Sequence, residues 1–322
     1  MSGENSAVRD KIRVVKKSKM DPVPLFGGIE GGGTKFICAI GTAPDDIRAE
    51  LRVPTAAPEE TLSGAIRFFQ EGEGKFGRLA GIGIAAFGPL DLQLDSPTYG
   101  RILPTTKPDW SGADLLGRLR SALDLPIGID TDVNGAAFGE HTWGAAQGLQ
   151  SFLFLTIGTG IGGGAFTEGK LLHGLLHPEM GHIPLPHDRA ADPFEGVCPF
   201  HKDCFEGLAS GPAMEARWGR RAETLPEDHP AWELEAQYVA HALTAYIYTL
   251  SPQRIIIGGG VGSNLNLLKM VRKKVPSLIN GYLSSQAILK DIDSYIVPPA
   301  LGNRAGVLGA IALAKEAWEK KQ

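Results

Sequence analysis

From residue 25 onward, short apolar runs alternate with stretches of helical periodicity. LFGGIEGGGTKFICAIGTA reads as a strand, a glycine turn and a second strand, and RAELRVPT can supply a third. PEETLSGAIRFFQEGEGKF starts with acids and repeats apolar residues at Leu62, Ile66 and Phe69, the spacing of one helical face. LAGIGIAAFG is a continuous apolar run suited to a strand buried on both sides. SGADLLGRLRSALDL predicts a helix capped by Ser111, PIGID a short strand, and VNGAAFGEHTWGAA a helix of small residues. SFLFLTIGTGIGGGAFTEGKLL then repeats strand, glycine turn, strand. Between Glu235 and Leu250, Val239, Leu243, Tyr246 and Leu250 share a helical face until Pro252 stops it. RIIIGGGVG reads as a buried strand ending in another glycine turn. A closing helix carries Val307, Leu308, Ile311, Ala314 and Trp318 on one side.

IEGGGTKF near residue 30 and IGTGIGGGAF near residue 160 echo each other. Their separation of about 130 residues far exceeds a solenoid repeat and suits two similar α/β halves facing each other across a cleft. The expected division is a leader at 1–23, one lobe at 24–126 with 303–322, and a second lobe at 127–302. The last helix is expected to return to the first lobe, which otherwise has few helices to cover its sheet.

Composition changes this picture little. The 322 residues are 43% hydrophobic and 21% charged, an ordinary globular balance with enough apolar mass for two cores. A net charge of −4 gives no support for a nucleic-acid partner. Residues 1–23 are net +3, which leaves −7 on the rest. This leader lacks the apolar core of a secretory signal and reads as a flexible extension. The longest apolar stretch, Ser151 to Phe166, is too short and too glycine-rich for a membrane helix, so no membrane role is expected. Three cysteines, an odd number, argue against a disulfide scaffold and for the reducing cytoplasm.

Ordered glycine costs backbone entropy, so clusters of it need a reason. GGGTK puts threonine before lysine and fails the Walker pattern. Gly158, Gly160 and Gly163 match a dinucleotide fingerprint, but that motif must open a helix, and GGAFTEGKLLHG is poor in helix formers. A tight hairpin whose bare N–H groups wrap phosphate oxygens fits better, with hydroxyls from Thr156 and Thr159 and, in the first loop, Thr34 and Lys35. An ordinary hairpin turn is the plain alternative.

GIEGGGTKF, GPLD, IDTDVNGAAFGE, LTIGTGIGGG, HPEMGHI and CFEGLASGPA, in this order, resemble the successive motifs of the ROK family of sugar kinases and related repressors. With RILPTTKPDW and CPFHKDC, the likeness is to the fructokinase branch and runs from about Phe26 to Ala314. The resemblance implies an actin- and hexokinase-like fold with ATP and sugar meeting between two lobes. It implies that Gly31, Gly32, Gly33, Thr34 and Lys35, with Thr156, Gly158, Thr159 and Gly160, hold phosphates. It also implies that Gly258, Gly259 and Gly260 border the adenosine, that Thr131, Asp132, Glu179 and Glu206 contact the sugar, and that the chain forms a homodimer.

Phosphoryl transfer to an alcohol needs a group to orient the hydroxyl and take its proton. Asp132, just beyond the PIGID strand, is the candidate, and the resemblance implies the same residue; a helix N-cap is the other role such an aspartate can fill. Mg²⁺ would arrive with ATP near Asp132 or Glu30, where most of the family has aspartate. Cys198, His201 and Cys204 recur at intervals of three, and with His182 they match a closed, structural zinc site. A Cys198–Cys204 disulfide and unconnected buried thiols are the alternatives. His173, His177, His187, His229 and His241 read as surface or core histidines, and Cys38 as a buried thiol.

The resulting expectation is ATP-dependent phosphorylation of a hexose, D-fructose foremost, with glucose, mannose or an N-acetylhexosamine as alternatives. A repressor would need about 60–80 residues of helix-turn-helix in front, and the leader is shorter. A sugar sensor without catalysis and a nicotinamide oxidoreductase are the readings from other classes.

Overall fold

The computed structural model describes residues 23–322, so the expected leader lies, Val23 apart, outside the described residues. The apolar runs pair into two five-stranded sheets. The first contains β1 (Leu25–Gly31), β2 (Lys35–Ala43), β3 (Asp46–Pro54), β4 (Leu79–Ala86) and β5 (Ile127–Thr131) in the order β3-β2-β1-β4-β5. The second contains β6 (Phe152–Ile157), β7 (Ile161–Thr167), β8 (Lys170–Leu171), β9 (Ile255–Gly258) and β10 (Ile296–Val297) in the order β10-β9-β6-β7-β8. Each sheet opens with an antiparallel hairpin and continues through parallel pairs, which is the echo read along the chain.

Around the first sheet lie α1 (Pro58–Phe76) and α2 (Leu115–Ala122), and α3 (Asp132–Trp143) follows β5. The second sheet is served by α4 (Phe205–Ala209), α5 (Gly211–Trp218), α6 (Ala231–Leu250) and α7 (Leu265–Ile279), then by the short α8 (Gln286–Leu289) and α9 (Ile292–Tyr295). The closing α10 (Ala305–Glu319) returns to pack on β1, β4, β5 and α3.

Two expectations are corrected. Residue 127 does not open the second lobe: β5 pairs in parallel with β4, from Ile82 beside Ile127 to Ala86 beside Thr131. Connection through α2 returns the chain to the same sheet, and the crossing to the second sheet comes at α3. Nor does Ser111 cap α2. Its hydroxyl exchanges hydrogen bonds with the Thr105 backbone, and Gly112, at φ +82°, breaks helical geometry behind it. Asp114 caps instead, accepting from the Gly117 N–H at 2.7 Å.

Glycine has a second use here. Gly28, Gly83 and Gly128 stand in register across β1, β4 and β5. A Cβ on Gly83 would run into the Ala310 carbonyl, one on Gly128 into that of Leu313, and one on Gly28 into Val307 and Ile311. The row forms a trough that lets α10 lie against the sheet backbone. Where α3 crosses α10, Gly139 and Gly309 allow the same close approach, and Gly135 lets α3 lie against Ala85 of β4.

The chain passes between the sheets at two places, after α3 and before α10. Glu140, fully buried, joins them: its carboxylate accepts the Ala145 N–H at 2.6 Å, the Ala300 N–H at 3.1 Å and the Leu301 N–H at 2.8 Å. Charge-assisted bonds to three N–H groups make its burial tolerable and pin both crossings together.

Candidate active site

A cleft of about 950 Å³ opens between the two sheets. Its floor includes Thr131 and Asp132, one wall carries Thr156, Gly158, Thr159, Gly160, Glu179 and Glu206, and the facing wall carries Pro89, Leu103, Pro104, Thr105 and Thr106. Another cavity of about 920 Å³, lined by Arg48, Arg78 and Trp318 among others, contains none of the expected site residues.

Asp132 is the first residue of α3, and its position follows from what its neighbours do. Thr131 is the N-cap, its hydroxyl accepting the Asn134 N–H at 3.2 Å. The buried Asp130 carboxylate accepts the Thr131 N–H and Asn134 Nδ2, both at 2.8 Å. Capping is therefore done, and of the Asp132 oxygens Oδ1 accepts the adjacent Val133 N–H at 2.9 Å. Burial raises the Asp132 carboxyl to about 6, and the Glu179 charge adds to the effect. A basic, ionisable acid at a helix start facing the cleft suits a proton acceptor.

Glu30, next to last in β1, is raised further, to about 7, by burial first and then by the charge of Asp132, with Lys35 opposing. Its Oε2 is buried with no hydrogen-bond partner. A divalent cation or its water shell is the kind of group that satisfies such an oxygen beside a second carboxylate.

The glycine cluster after β6 is a hairpin. Ile157 pairs with Ile161, Gly158 N–H donates to Gly160 O at 2.9 Å, and strand β7 follows, which removes the dinucleotide fingerprint. Gly258 pairs with Thr156, and Gly211 N–H donates to Gly158 O at 2.7 Å, so Gly258–Gly260 and the start of α5 lie beside the same turn. The first loop, Gly31–Lys35, is a turn between β1 and β2 with Gly33, Thr34 and Lys35 exposed. Neither Gly31–Lys35 nor Gly258–Gly260 lines the cleft itself.

Glu206 does more than face the cleft, because its Oε2 accepts the Ile161 N–H at 2.9 Å and so holds the hairpin. Glu179 precedes the 3₁₀ turn Met180–His182, whose Met180 carbonyl accepts the Tyr246 hydroxyl of α6 at 2.5 Å. Partial burial raises the Glu179 carboxyl, the neighbouring Glu206 charge raises it further, and His182 opposes them.

His182, Cys198, His201 and Cys204 bring four ligand atoms within 4.8 Å of one another. His182 Nδ1 lies 3.7 Å from Cys198 Sγ and 3.6 Å from Cys204 Sγ, and His201 Nδ1 is 3.7 Å from Cys198 Sγ. Tetrahedral zinc, with bonds of about 2.3 Å to sulfur and about 2.05 Å to nitrogen, separates the two by roughly 3.6 Å. The donor set and spacing fit that ion. Cys198 and Cys204 are free thiols, which discards the disulfide, and Cys38 is buried with its thiol pushed up to about 12.

Two histidines set aside in the sequence belong here. His177 lines the cleft two residues before Glu179, and His173 binds Asp130. The alternation of His177 with Glu179 in an extended segment was the available signal for the first. His173 had none, since its partner is 43 positions away.

A cleft between two sheets that holds an acid, a glycine hairpin and a carboxylate-lined wall is the layout of a phosphotransferase of the actin/hexokinase-like fold. The chain belongs to the ROK family, whose model matches residues 26–317. It is 43% identical to a fructokinase of Zymomonas mobilis over 300 residues, 92% of this chain and 98% of that protein. Among solved structures it resembles a ROK hexokinase from Thermus thermophilus, with TM-score 0.75, 26% identity, and coverage of 92% of this chain and 99% of that one. It also resembles a ROK family glucokinase from Streptomyces griseus in complex with glucose and AMPPNP, with TM-score 0.71, 25% identity, and coverage of 91% and 99%. Among the described residues, no helix is long and apolar enough to cross a membrane.

Proposed function

We propose that the protein is an ATP-dependent hexose kinase that forms fructose 6-phosphate from D-fructose. The observation that carries this reading is Asp132, relieved of capping by Thr131 and facing the cleft across from the Gly158–Gly160 hairpin. Relatives described as fructokinases at 40–43% identity over nine-tenths of the chain support fructose as the acceptor.

In this reading Asp132 first orients the sugar hydroxyl toward the γ-phosphorus. It takes the proton late, when the oxygen has lost electron density to phosphorus and become acidic. Glu179 and the unengaged oxygen of Glu206 accept hydrogen bonds from sugar hydroxyls. Main-chain N–H groups of the two glycine turns, with Thr156, Thr159, Thr34 and Lys35, hold the phosphates, and Gly258–Gly260 flank the nucleoside. Mg²⁺ carried by ATP neutralises phosphate charge, with Glu30 and Asp132 as the carboxylates that orient it or its water. Zinc held by His182, Cys198, His201 and Cys204 is structural, because four protein ligands leave no position open. Homodimeric association belongs to the same reading and rests on family likeness.

Asp132→Asn tests the assignment. The variant is expected to bind fructose with near-normal affinity by calorimetry while transferring phosphate at least about 10²-fold more slowly. Near-wild-type turnover would remove Asp132 from the mechanism.

A further inference from the structure

Between β8 and Glu179 the chain runs through Leu172–Pro178 without regular structure. This stretch leaves the edge of the second sheet and delivers His177 and Glu179 to the cleft. Burial does not fix its tip, since Leu175 is 91% and Leu176 55% exposed. Polar bonds to the first lobe do. Gln93 Nε2 donates to the carbonyls of Gly174 at 2.7 Å and Leu175 at 3.0 Å, and His173 Nε2 lies 2.8 Å from Asp130 Oδ2.

The Asp130 partner is what gives the second bond its meaning. Asp130 is buried in β5, and its Oδ1 already accepts the two donors that shape the first turn of α3 around Asp132. A carboxylate only accepts, so His173 carries its proton on Nε2 and donates it to Oδ2. One carboxylate thus sets both the turn holding Asp132 and the strap holding Glu179. Those elements come from different sheets, and the sugar must touch both.

We propose that His173 is a positioning residue for the sugar site, holding the Leu172–Pro178 strap in register with the Asp132 turn through Asp130. It touches neither the phosphates nor the glycine turns. Its loss should therefore be felt in sugar affinity and not in nucleotide affinity. The inference rests on the hexose-kinase reading above.

The test compares wild type, His173→Ala and His173→Gln in a coupled ADP-release assay, varying fructose and ATP separately. Losing a hydrogen bond to a buried carboxylate should raise the fructose KM of His173→Ala about tenfold, with kcat and the ATP KM changed less than about twofold. Glutamine, with an amide donor of similar reach, should recover most of the loss. An unchanged fructose KM, a parallel rise in both KM values, or a glutamine variant no better than alanine would each overturn the proposal. Wild-type turnover in the same assay tests the underlying reading by itself: an inactive wild type removes both, whereas an active one with a normal His173→Ala variant removes only the role of His173.

Discussion

Asp132 and its neighbours divide labour in a way that single residue types do not reveal. Thr131 caps and Asp130 organises the turn, which leaves Asp132 free for the proton-accepting role proposed for it. Burial carries a cost that can be read with its sign. A carboxyl raised from 3.8 to about 6 binds its proton more tightly when folded. The stability this gives is fully present below pH 3.8 and is lost as pH rises through about 6, so at neutral pH the ionised acid is held against the preference of its surroundings. On the proposed role of Asp132, activity runs the other way, because only the ionised form accepts a proton. For the free enzyme, kcat/KM for fructose should fall as pH drops through about 6, and a limb near the ordinary value of 3.8 would assign it to another group. Asp132 stands out as a candidate in the sequence because it follows a short apolar strand and heads a small-residue helix. Glu30 was visible as a candidate, but its orphaned oxygen, and the reason a cation suits it, exist only once α10 covers it.

At the level of elements, period and apolar content foretold both hairpins, α1, α3, α6 and α10. α7 is hidden in the sequence because Pro276 interrupts its pattern, yet this proline sits in the last turn, where the buried side of Leu267, Leu268, Val271, Val275 and Ile279 outweighs one lost hydrogen bond. The glycine clusters read in the sequence as phosphate loops or plain hairpin turns, whereas Gly28, Gly83 and Gly128 serve helix packing. Local sequence cannot separate the two uses, because the partner helix lies far along the chain, beyond the whole second sheet. The four-ligand cluster ties His182, three residues after Glu179, to Cys204, two residues before Glu206, so the proposed zinc would fix both of the acids proposed to face the sugar. Complete zinc removal by a chelator, verified by metal analysis, should weaken fructose binding before nucleotide binding. Unchanged fructose affinity in the metal-free protein would refute that coupling.

For the molecule as a whole, the two-lobed plan is legible from the repeated strand–glycine–strand theme, while the boundary lies one strand later than the sequence suggests. PIGID carries no mark of which sheet it joins; that is decided by the α2 connection and by the packing of α10 over β5. Glu140, buried between the two crossings, ties the chain segments that join the lobes to each other. Between them lies the cleft. The most direct measurement is ADP release from ATP and Mg²⁺ across a panel of fructose, glucose, mannose and N-acetylhexosamines, with product phosphorylation verified. Fructose should give the highest kcat/KM and yield a 6-phosphate. ADP release with none of these sugars would contradict a kinase and turn the cleft into that of a sensor.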